Sequence, residues 1–575
     1  MENNARSIIC RYPHLPFVVY LLFAAAFLGI QMCQGFSWLD IGMYMSGAEH
    51  FNSDPYASYF LGQWILTYDL TGMLCRLFSV DSFMGLRVMH LVYVLLTQII
   101  VYVYLIRYIS RRHVILGLLL VTLAHFGSYT EINYNDYSAF LLMLSLMAFH
   151  EGATRSRWML VAVAGLVAGV AVFFRIVNIT YAAIPLFSCL LSLRWHVAMK
   201  AWRRLLFFYI GMAAGMAAVV AMLYWQGLLD PLRLTVADIA GISSDSGDPH
   251  GMLYVMRSLY NLYGYIVSNA VYILLAWLIA VAAWRLKGAV RRYGVLFVAF
   301  LLMMLMMNFS YFPSNVTMAV CVMGCLVLYF RNQVSPECAH LYMMSLFMPL
   351  VMPAGSNAEP SFYGKELCFF ALPLSLSLLL SAVRPTIPNG SSAVSKFGGI
   401  RPLMSVYAMV AIGFIGFNVV HKQMEDGNRL SCRYTIDSPL ARGILTTADN
   451  AEMYNYLLQK LRPQVASGSY MICQFSLPMV SLMECRPWAV YSTVYSTDRM
   501  NDRYIAAAWQ HTRSLPYVLL DKESELPGYT HILEQLSKIR PYHKAWTDGR
   551  YELYAPAPTP TLPKGGRMDS SWENK

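Results

Sequence analysis

Residues 17–34 read FVVYLLFAAAFLGIQMCQ, an apolar run long enough for a helix that crosses a membrane. The polar stretch Ser37-Trp38-Leu39-Asp40-Ile41-Gly42-Met43-Tyr44 follows and puts an aspartate where the chain leaves the run. Since acidic side chains near a bilayer often have a function, Asp40 is the first candidate site residue, although solvated loops also contain aspartates. The basic segment before the run, without a small-residue cleavage site, predicts a retained signal-anchor helix.

Composition indicates a polytopic α-helical membrane protein with a hydrophilic part. Of the 575 residues, 57% are hydrophobic and 13% are charged, and the mean hydropathy is +0.46. A soluble domain would contain about 25% charged residues. The net charge of +11 does not indicate nucleic-acid binding, because the basic residues lie in short loops between apolar runs. The 11 cysteines form no CxxC pair, which argues against a thiolate metal site.

Apolar runs of membrane-crossing length recur along the first 420 residues and predict about thirteen transmembrane helices. The predicted spans are 17–34, 87–105, 113–127, 137–150, 158–174, 179–193, 205–225, 262–284, 293–309, 315–330, 339–351, 367–383 and 402–420. Two polar insertions interrupt them. The first, 35–86, includes an amphipathic stretch at 64–74 that suits a helix in the membrane interface. The second, 226–258, is a candidate lid, although such a loop is more often only a connection between helices.

Charge alternates between successive loops, and this alternation predicts the orientation of the chain. One set of loops is basic, with Arg107, Arg111, Arg112, Arg155, Arg157, Arg194, Lys200, Arg203, Arg204, Arg285, Lys287, Arg291, Arg292, Arg331, Arg384, Lys396 and Arg401. The other set is acidic, with Asp40, Asp54, Asp69, Glu131, Asp136, Asp230, Asp238, Asp245 and Asp248. Because basic loops stay in the cytoplasm, we expect a cytoplasmic N-terminus and, after an odd number of spans, an extracytoplasmic C-terminal part.

The C-terminal part, 421–556, is predicted to be an extracytoplasmic α/β domain with a partly parallel sheet. Its expected helices are 448–461, 477–484 and 531–539, and its expected strands are 470–475 and 517–521. A disulfide among Cys432, Cys473 and Cys485 is left open. Residues 557–575 read as a disordered tail, and 1–420 as the transmembrane domain with its long first outer loop, 35–86.

Two predicted outer loops carry candidate catalytic carboxylates. Asp40 leads the first, followed by Tyr44, and the short second loop holds Glu131 and Asp136. Such carboxylates suit general-base catalysis on an acceptor group. The alternative is that they solvate a turn and cap helices, with Asp136 as the N-cap of the span that follows.

Two further predicted outer segments carry cations. Arg175 lies in the turn Phe173-Phe174-Arg175-Ile176-Val177-Asn178, and a guanidinium there suits a phosphate group; snorkelling to lipid headgroups is the alternative. Lys365 and Glu366 lie at the mouth of another span, where Lys365 either pairs with a neighbouring acid or binds an anionic headgroup. We therefore predict Tyr44, Arg175, Asn178, Lys365 and Glu366 as substrate-binding residues.

The layout and motifs resemble the GT-C superfamily of integral-membrane glycosyltransferases, and within it bacterial relatives of the protein O-mannosyltransferases and the lipid A aminoarabinose transferases. The stretch Trp38-Leu39-Asp40-Ile41-Gly42-Met43-Tyr44 resembles the first-loop acidic motif, although that motif often has two adjacent acids and Ile41 follows Asp40 here. Asn135-Asp136-Tyr137 looks like the second acidic position. Residues 440–449, LARGILTTAD, are similar to a segment of uncharacterised bacterial members.

The resemblance implies a GT-C-like fold and transfer of a hexosyl or pentosyl group from a polyprenyl-phosphate donor. The acceptor would be a lipid, glycan or protein at the outer face of a bacterial cytoplasmic membrane. No nucleic acid is expected as a partner, and a divalent cation is left open as a cofactor. The alternatives are a polysaccharide polymerase or ligase, a lipid-linked sugar flippase or transporter, and a structural or assembly role.

Overall fold

The computed structural model describes residues 12–36, 40–51, 53–54, 62, 64–124, 131–242, 252–306, 312–330, 334–351, 360–383, 400–420, 426, 428–488, 498–523 and 529–558. Helices make up most of the first 420 residues. They are α1 Leu15–Met32, α2 Asp40–His50, α3 Ile65–Phe78, α4 Phe83–Leu105, α5 Arg111–Ala124, α6 Tyr134–Thr154, α7 Trp158–Ala171, α8 Ile184–Leu191, α9 Ala201–Trp225, α10 Leu229–Ile242, α11 Met252–Arg285, α12 Ala289–Met306, α13 Phe312–Phe330, α14 Pro336–Val351, α15 Pro360–Val383 and α16 Ile400–Val420. A 3₁₀ helix, Ile176–Ala183, precedes α8.

Each of the thirteen predicted spans overlaps one of these helices. Among the residues that the structure describes, five segments are both long enough and apolar enough to cross a membrane: Leu15–Met32, Phe83–Leu105, Ala201–Trp225, Ile266–Arg285 and Ile400–Phe417. Shorter apolar helices include Trp158–Ala171 and Val316–Tyr329. The chain is thus a helix-rich membrane protein, while the count of thirteen crossings and their orientation stay predictions.

The two polar insertions contain helices of their own. The first holds α2 and α3, and α3 covers the amphipathic stretch predicted at 64–74. The second holds α10, and the serine- and aspartate-rich part that suggested a lid, 243–251, lies outside the described residues.

The C-terminal region contains a five-stranded mixed sheet. Its elements are β1 Tyr434–Thr435, β2 Leu445–Thr446, α17 Ala448–Leu461, β3 Tyr470–Cys473, α18 Leu477–Leu482, β4 Arg486–Pro487, α19 Asp498–Thr512, β5 Tyr517–Asp521, α20 Tyr529–Ile539, β6 Tyr542–Thr547 and β7 Tyr551–Pro556. The sheet order is β4-β3-β5-β7-β6, and β1 pairs separately with β2. Strand β3 is parallel to β4 and β5, whereas β7 is antiparallel to β5 and β6. The expected partly parallel sheet is therefore present.

Three cysteines of this region are the candidates for a disulfide. Cys432, Cys473 and Cys485 are all free thiols and buried. Burial raises the pKa of each of these thiols to about 12. They therefore act as small apolar residues in the core.

The end of α1 is joined to the C-terminal region by backbone hydrogen bonds. Leu445 donates to the Cys33 carbonyl at 2.9 Å and accepts from the Gly35 amide at 2.8 Å. The Asp426 carboxylate, which is buried, accepts from the Phe36 amide and from the Thr446 hydroxyl. The C-terminal region packs against the end of the helix bundle at which α1 ends. We call this end of the bundle the sheet end.

Helix α2 is fixed against α18 by a close backbone approach. A Cβ atom on Gly42 would lie 2.2 Å from the carbonyl carbon of Leu477 and from the nitrogen of Pro478. One turn further on, the Ser46 and Ser481 hydroxyls are 2.9 Å apart. Beyond α2, Tyr470 donates a hydrogen bond to Asp54. Burial raises the pKa of Tyr470 to about 12, so this hydroxyl keeps its proton at neutral pH.

We predict that Gly42→Ala destabilises the protein by roughly 1–3 kcal/mol, because the added methyl group meets backbone atoms that cannot move aside. The measurement is thermal unfolding of the purified full-length protein in detergent. Gly29→Ala is the matched control: it also lies in a helix, α1, but nothing stands within 4 Å of the added atom. The control should be unchanged or more stable by up to about 1 kcal/mol. Equal melting temperatures for the two variants would contradict the close packing of α2 on α18.

Candidate functional site

The first turn of α6 is built by a capping box. Asn133 is the N-cap residue, and its side-chain oxygen accepts from the Asn135 amide at 2.8 Å. The Asp136 carboxylate reaches back and accepts from the Asn133 amide at 3.0 Å. Asp136 is therefore the third residue of the helix, and the N-cap role considered for it belongs to Asn133. The positive end of the α6 dipole favours the negative charge of Asp136 at this position.

The Asp136 side chain is fully buried and partly satisfied. His90 on α4 contacts Asp136 Oδ2 through Nδ1 at 3.0 Å, and the Tyr93 hydroxyl donates to the Asp136 carbonyl at 2.7 Å. Within the described part of the chain, no group donates a hydrogen bond to Asp136 Oδ1 or to Asn135 Oδ1. Buried acceptors without a donor are costly, so these two oxygens suit a ligand that brings hydroxyl or cationic groups.

Glu131, predicted as a catalytic carboxylate, forms an ion pair with Arg87 on α4. Arg87 Nε lies 2.5 Å from Glu131 Oε1, and both side chains are at most 3% exposed. The same guanidinium donates to the Met32 carbonyl at 2.6 Å and to the Gly35 carbonyl at 2.7 Å. Through Arg87, Glu131 therefore helps to hold the end of α1, where the segment that leads to Asp40 begins.

Arg175 approaches an aromatic cluster on the other side of the first turn of α6. Its guanidinium carbon lies 5.9 Å from the centre of the Tyr134 ring, and Arg175 is 5% exposed. The Trp64 ring stacks on Tyr134 with centroids 4.8 Å apart, and the Tyr44 ring meets Tyr134 edge-on at 6.3 Å. Tyr44 and Arg175, both predicted as binding residues, thus meet at one ring, two residues from Asp136.

The turn that carries Arg175 is held rigidly. The Asn178 amide donates to the Ser138 hydroxyl and to the Ala171 carbonyl, both at 2.8 Å. The Tyr181 hydroxyl donates to the Ser138 carbonyl at 3.1 Å. The Asn178 side chain thus ties the turn to α6 through hydrogen bonds within the protein. The substrate contact expected of Asn178 stays a prediction.

Three predicted site residues have side chains outside the described part of the structure. Asp40 is the first residue of α2, and Lys365 and Glu366 lie in the first two turns of α15. The Tyr44 contact brings the second turn of α2 to the first turn of α6. The structure thus brings together Tyr44, Asp136, Arg175 and Asn178 around one helix start.

Four residues of this assembly were missed from the sequence: Arg87, His90, Trp64 and Tyr134. Arg87 and His90 are one turn apart at the start of an apolar span, and a charged residue on such a helix is a signal that could have pointed to them. Trp64 and Tyr134 gave no comparable signal, since aromatic residues are common near membrane interfaces.

The described residues do not by themselves form a metal site. Among them, no group of three or more histidine, cysteine or acidic side chains is placed to hold an ion. Asp136 Oδ1 and Asn135 Oδ1 are hard oxygen donors of the kind that Mg²⁺ and Ca²⁺ take, but six or more ligands are usual. We therefore assign no chemical step to a metal.

No protein-family model and no curated protein matches the chain. Among solved structures, the chain is similar to the crystal structure of the Archaeoglobus fulgidus oligosaccharyltransferase in complex with Zn and sulfate. Sequence identity is 14% and the TM-score 0.46, and the match covers 93% of this chain and 73% of that chain. At this level the similarity assigns neither a family nor a function to this chain.

We predict that Arg87→Met destabilises the protein by roughly 3–5 kcal/mol, because it leaves the Glu131 charge buried and unpaired. The double variant Arg87→Met/Glu131→Leu should recover part of that loss, since it removes both charges. Thermal unfolding in detergent measures both. Arg107→Ala is the control, because its ion pair with Glu151 is half exposed and should contribute at most about 1 kcal/mol. A double variant less stable than Arg87→Met would contradict the ion pair.

Proposed function

We propose that the protein is a membrane glycosyltransferase that moves a sugar from a polyprenyl-phosphate donor to an acceptor at the sheet end of the helix bundle. The observation that supports this most is that one helix turn carries a buried carboxylate and is approached by a buried guanidinium. Asp136 lies on the first turn of α6, and Arg175 approaches the Tyr134 ring of the same turn. Asp136 contacts His90 near the start of α4, a helix of membrane-crossing length.

Arg175 suits the phosphate of the donor. A polyprenyl phosphate keeps its negative charge as it leaves, and a fixed guanidinium stabilises that charge without having to reorient. The turn that carries Arg175 is tied to α6 through Asn178 and Ser138, so its position is fixed before the substrate binds. Lys365 on α15 is proposed as a second cation for the same headgroup.

The carboxylates suit the acceptor. In the proposed reaction the acceptor oxygen bonds to the anomeric carbon while the bond from that carbon to the phosphate oxygen breaks. The proton of the acceptor hydroxyl passes to Asp40, and the polyprenyl phosphate leaves with the electron pair. Asp136 supports this step by accepting a substrate hydroxyl at its free Oδ1. Glu131 contributes by holding the end of α1 in place.

The proposed location follows the charge alternation of the loops. The sheet end would face the outside of a bacterial cytoplasmic membrane, with the N-terminus in the cytoplasm. The acceptor would be a lipid, glycan or protein that reaches this face. A lipid-linked donor presents its sugar phosphate at the membrane surface, whereas its prenyl chain stays in the hydrocarbon core.

We expect the purified protein to release polyprenyl phosphate from at least one member of a panel of polyprenyl-phosphate sugars when a membrane extract supplies the acceptor. Asp40→Asn should lower the rate by about 10²-fold or more, because a carboxamide cannot accept the proton. Asp136→Asn should also lower the rate, because a neutral carboxamide holds the substrate hydroxyl less strongly than a carboxylate does. Product formation is followed by chromatography of the labelled lipid. Asp449→Asn, at an exposed first-turn position of α17, is the control and should keep the wild-type rate.

The proposal would be wrong if no donor in the panel were consumed by wild-type protein. Movement of intact lipid-linked sugar across vesicles, without cleavage, would favour the flippase alternative instead. An Asp40→Asn variant with the wild-type rate would remove Asp40 from the role of base.

Arg175→Ala should raise the KM for the lipid-linked donor and lower kcat, by about 10²-fold together, because one charge-stabilising donor is lost. Arg175→Lys should be intermediate, since an ammonium keeps the charge but not the planar fork. Steady-state kinetics measures both variants, with Arg107→Ala as a control arginine that pairs with Glu151 elsewhere in the bundle. If donor kinetics were unchanged in Arg175→Ala, the residue would be a headgroup anchor rather than a substrate ligand.

A further inference from the structure

We propose that Tyr134 and Trp64 form an aromatic platform that positions Arg175 for an anionic phosphate headgroup. This inference rests on the proposed function, which it deepens by naming two positioning residues. The ring of Tyr134 is in contact with three other side chains: Trp64 stacks on it, Tyr44 meets it edge-on, and the Arg175 guanidinium lies 5.9 Å from its centre. A flexible arginine side chain is thereby given one preferred place.

Two hydrogen bonds, one between backbone groups and one from a side-chain hydroxyl, connect the segment of Trp64 directly to the turn of Arg175. The Leu66 amide donates to the Phe173 carbonyl at 3.0 Å, and the Thr67 hydroxyl donates to the Phe174 carbonyl at 3.0 Å. Trp64 is thus two residues before one end of this connection, and Arg175 directly follows the other. The stacking of Trp64 on Tyr134 therefore belongs to a fixed arrangement rather than to a chance surface contact.

The platform also brings the cation to the helix turn that carries the carboxylate. Tyr134 and Asp136 share the first turn of α6, which the Asn133 capping box holds in place. A guanidinium held near the Tyr134 ring therefore stays beside the helix turn that also carries Asp136. The ring contact restricts where the guanidinium can point, so the platform favours one direction of approach for a phosphate group.

Trp64 adds a link between the two halves of the proposed site. It belongs to the first polar insertion, as do Asp40 and Tyr44, whereas Arg175 follows α7. Binding of a phosphate at Arg175 would thus also affect the position of the segment that carries the proposed base. This gives the platform a role in both donor affinity and alignment of the two substrates.

The test compares binding of farnesyl phosphate, inorganic phosphate and farnesol to the purified full-length protein by equilibrium dialysis. Wild-type protein should bind farnesyl phosphate more tightly than the other two. Tyr134→Leu and Trp64→Leu should each weaken that binding by about tenfold, whereas Tyr134→Phe, which keeps the ring, should stay within about threefold of wild type. Tyr329→Leu is the matched control, because it removes a second arginine–tyrosine contact, that of Arg194, at 4.2 Å.

A double-mutant cycle separates positioning from a general effect on folding. In the Arg175→Ala background, Tyr134→Leu should cause little further loss of farnesyl phosphate binding, because the platform acts through the guanidinium. Equal losses in the two backgrounds would overturn the inference, as would unchanged binding in Tyr134→Leu. If Tyr134→Leu does not fold, Trp64→Leu in the same cycle decides the matter.

Failure of the inference and failure of the proposed function are distinguishable. A wild-type protein that transfers sugar while Tyr134→Leu and Trp64→Leu keep the wild-type KM for the donor would overturn the platform and leave the function standing. A wild-type protein that binds farnesyl phosphate through the platform but consumes no lipid-linked sugar would leave the platform standing and remove the transferase. Tighter binding of inorganic phosphate than of farnesyl phosphate would overturn the assignment to a lipid headgroup.

Discussion

The buried ion pair of Arg87 and Glu131 is the constraint on which the sheet end depends. Its guanidinium uses its remaining donors on the carbonyls of Met32 and Gly35, so it closes the end of α1 as well as neutralising the carboxylate. A charge buried this deeply is tolerated only with such complete pairing. Three separate parts of the chain, α1, α4 and the segment before α6, are thereby held at one point, and the first polar insertion starts from a fixed position.

The start of α6 extends that fixed point into a functional arrangement. Its capping box orients Asp136, His90 holds one oxygen of that carboxylate, and Tyr134 receives Trp64 and Arg175. Helix starts leave amide groups unpaired and carry partial positive charge, which is why polar and acidic residues gather there. In this protein the same physics that begins a helix also places a carboxylate near a guanidinium.

Local patterns in the sequence predicted the helices well, and two elements of the C-terminal region, α17 and β5, at their observed bounds. They missed β6, β7 and α19, where polar residues interrupt the apolar pattern on which such predictions depend. For the candidate site, Tyr44, Asp136, Arg175 and Asn178 do lie around one helix start. Arg87, His90 and Trp64 act through partners more than 40 residues away, and such contacts leave no periodic signal in the sequence.

The packing of α2 on α18 has a consequence for the order in which the protein folds during synthesis. Gly42 packs on Leu477 and Pro478, and Gly35 pairs with Leu445, so an early segment of the chain rests on residues made some 400 positions later. At roughly 5–20 residues per second, the ribosome needs on the order of 20–90 s to supply that support. During this interval the first polar insertion has already left the ribosome, but the C-terminal residues against which it packs have not yet been made. The proposed catalytic end is therefore the last part of the molecule to mature, and a truncated chain would lack it even with every earlier helix inserted.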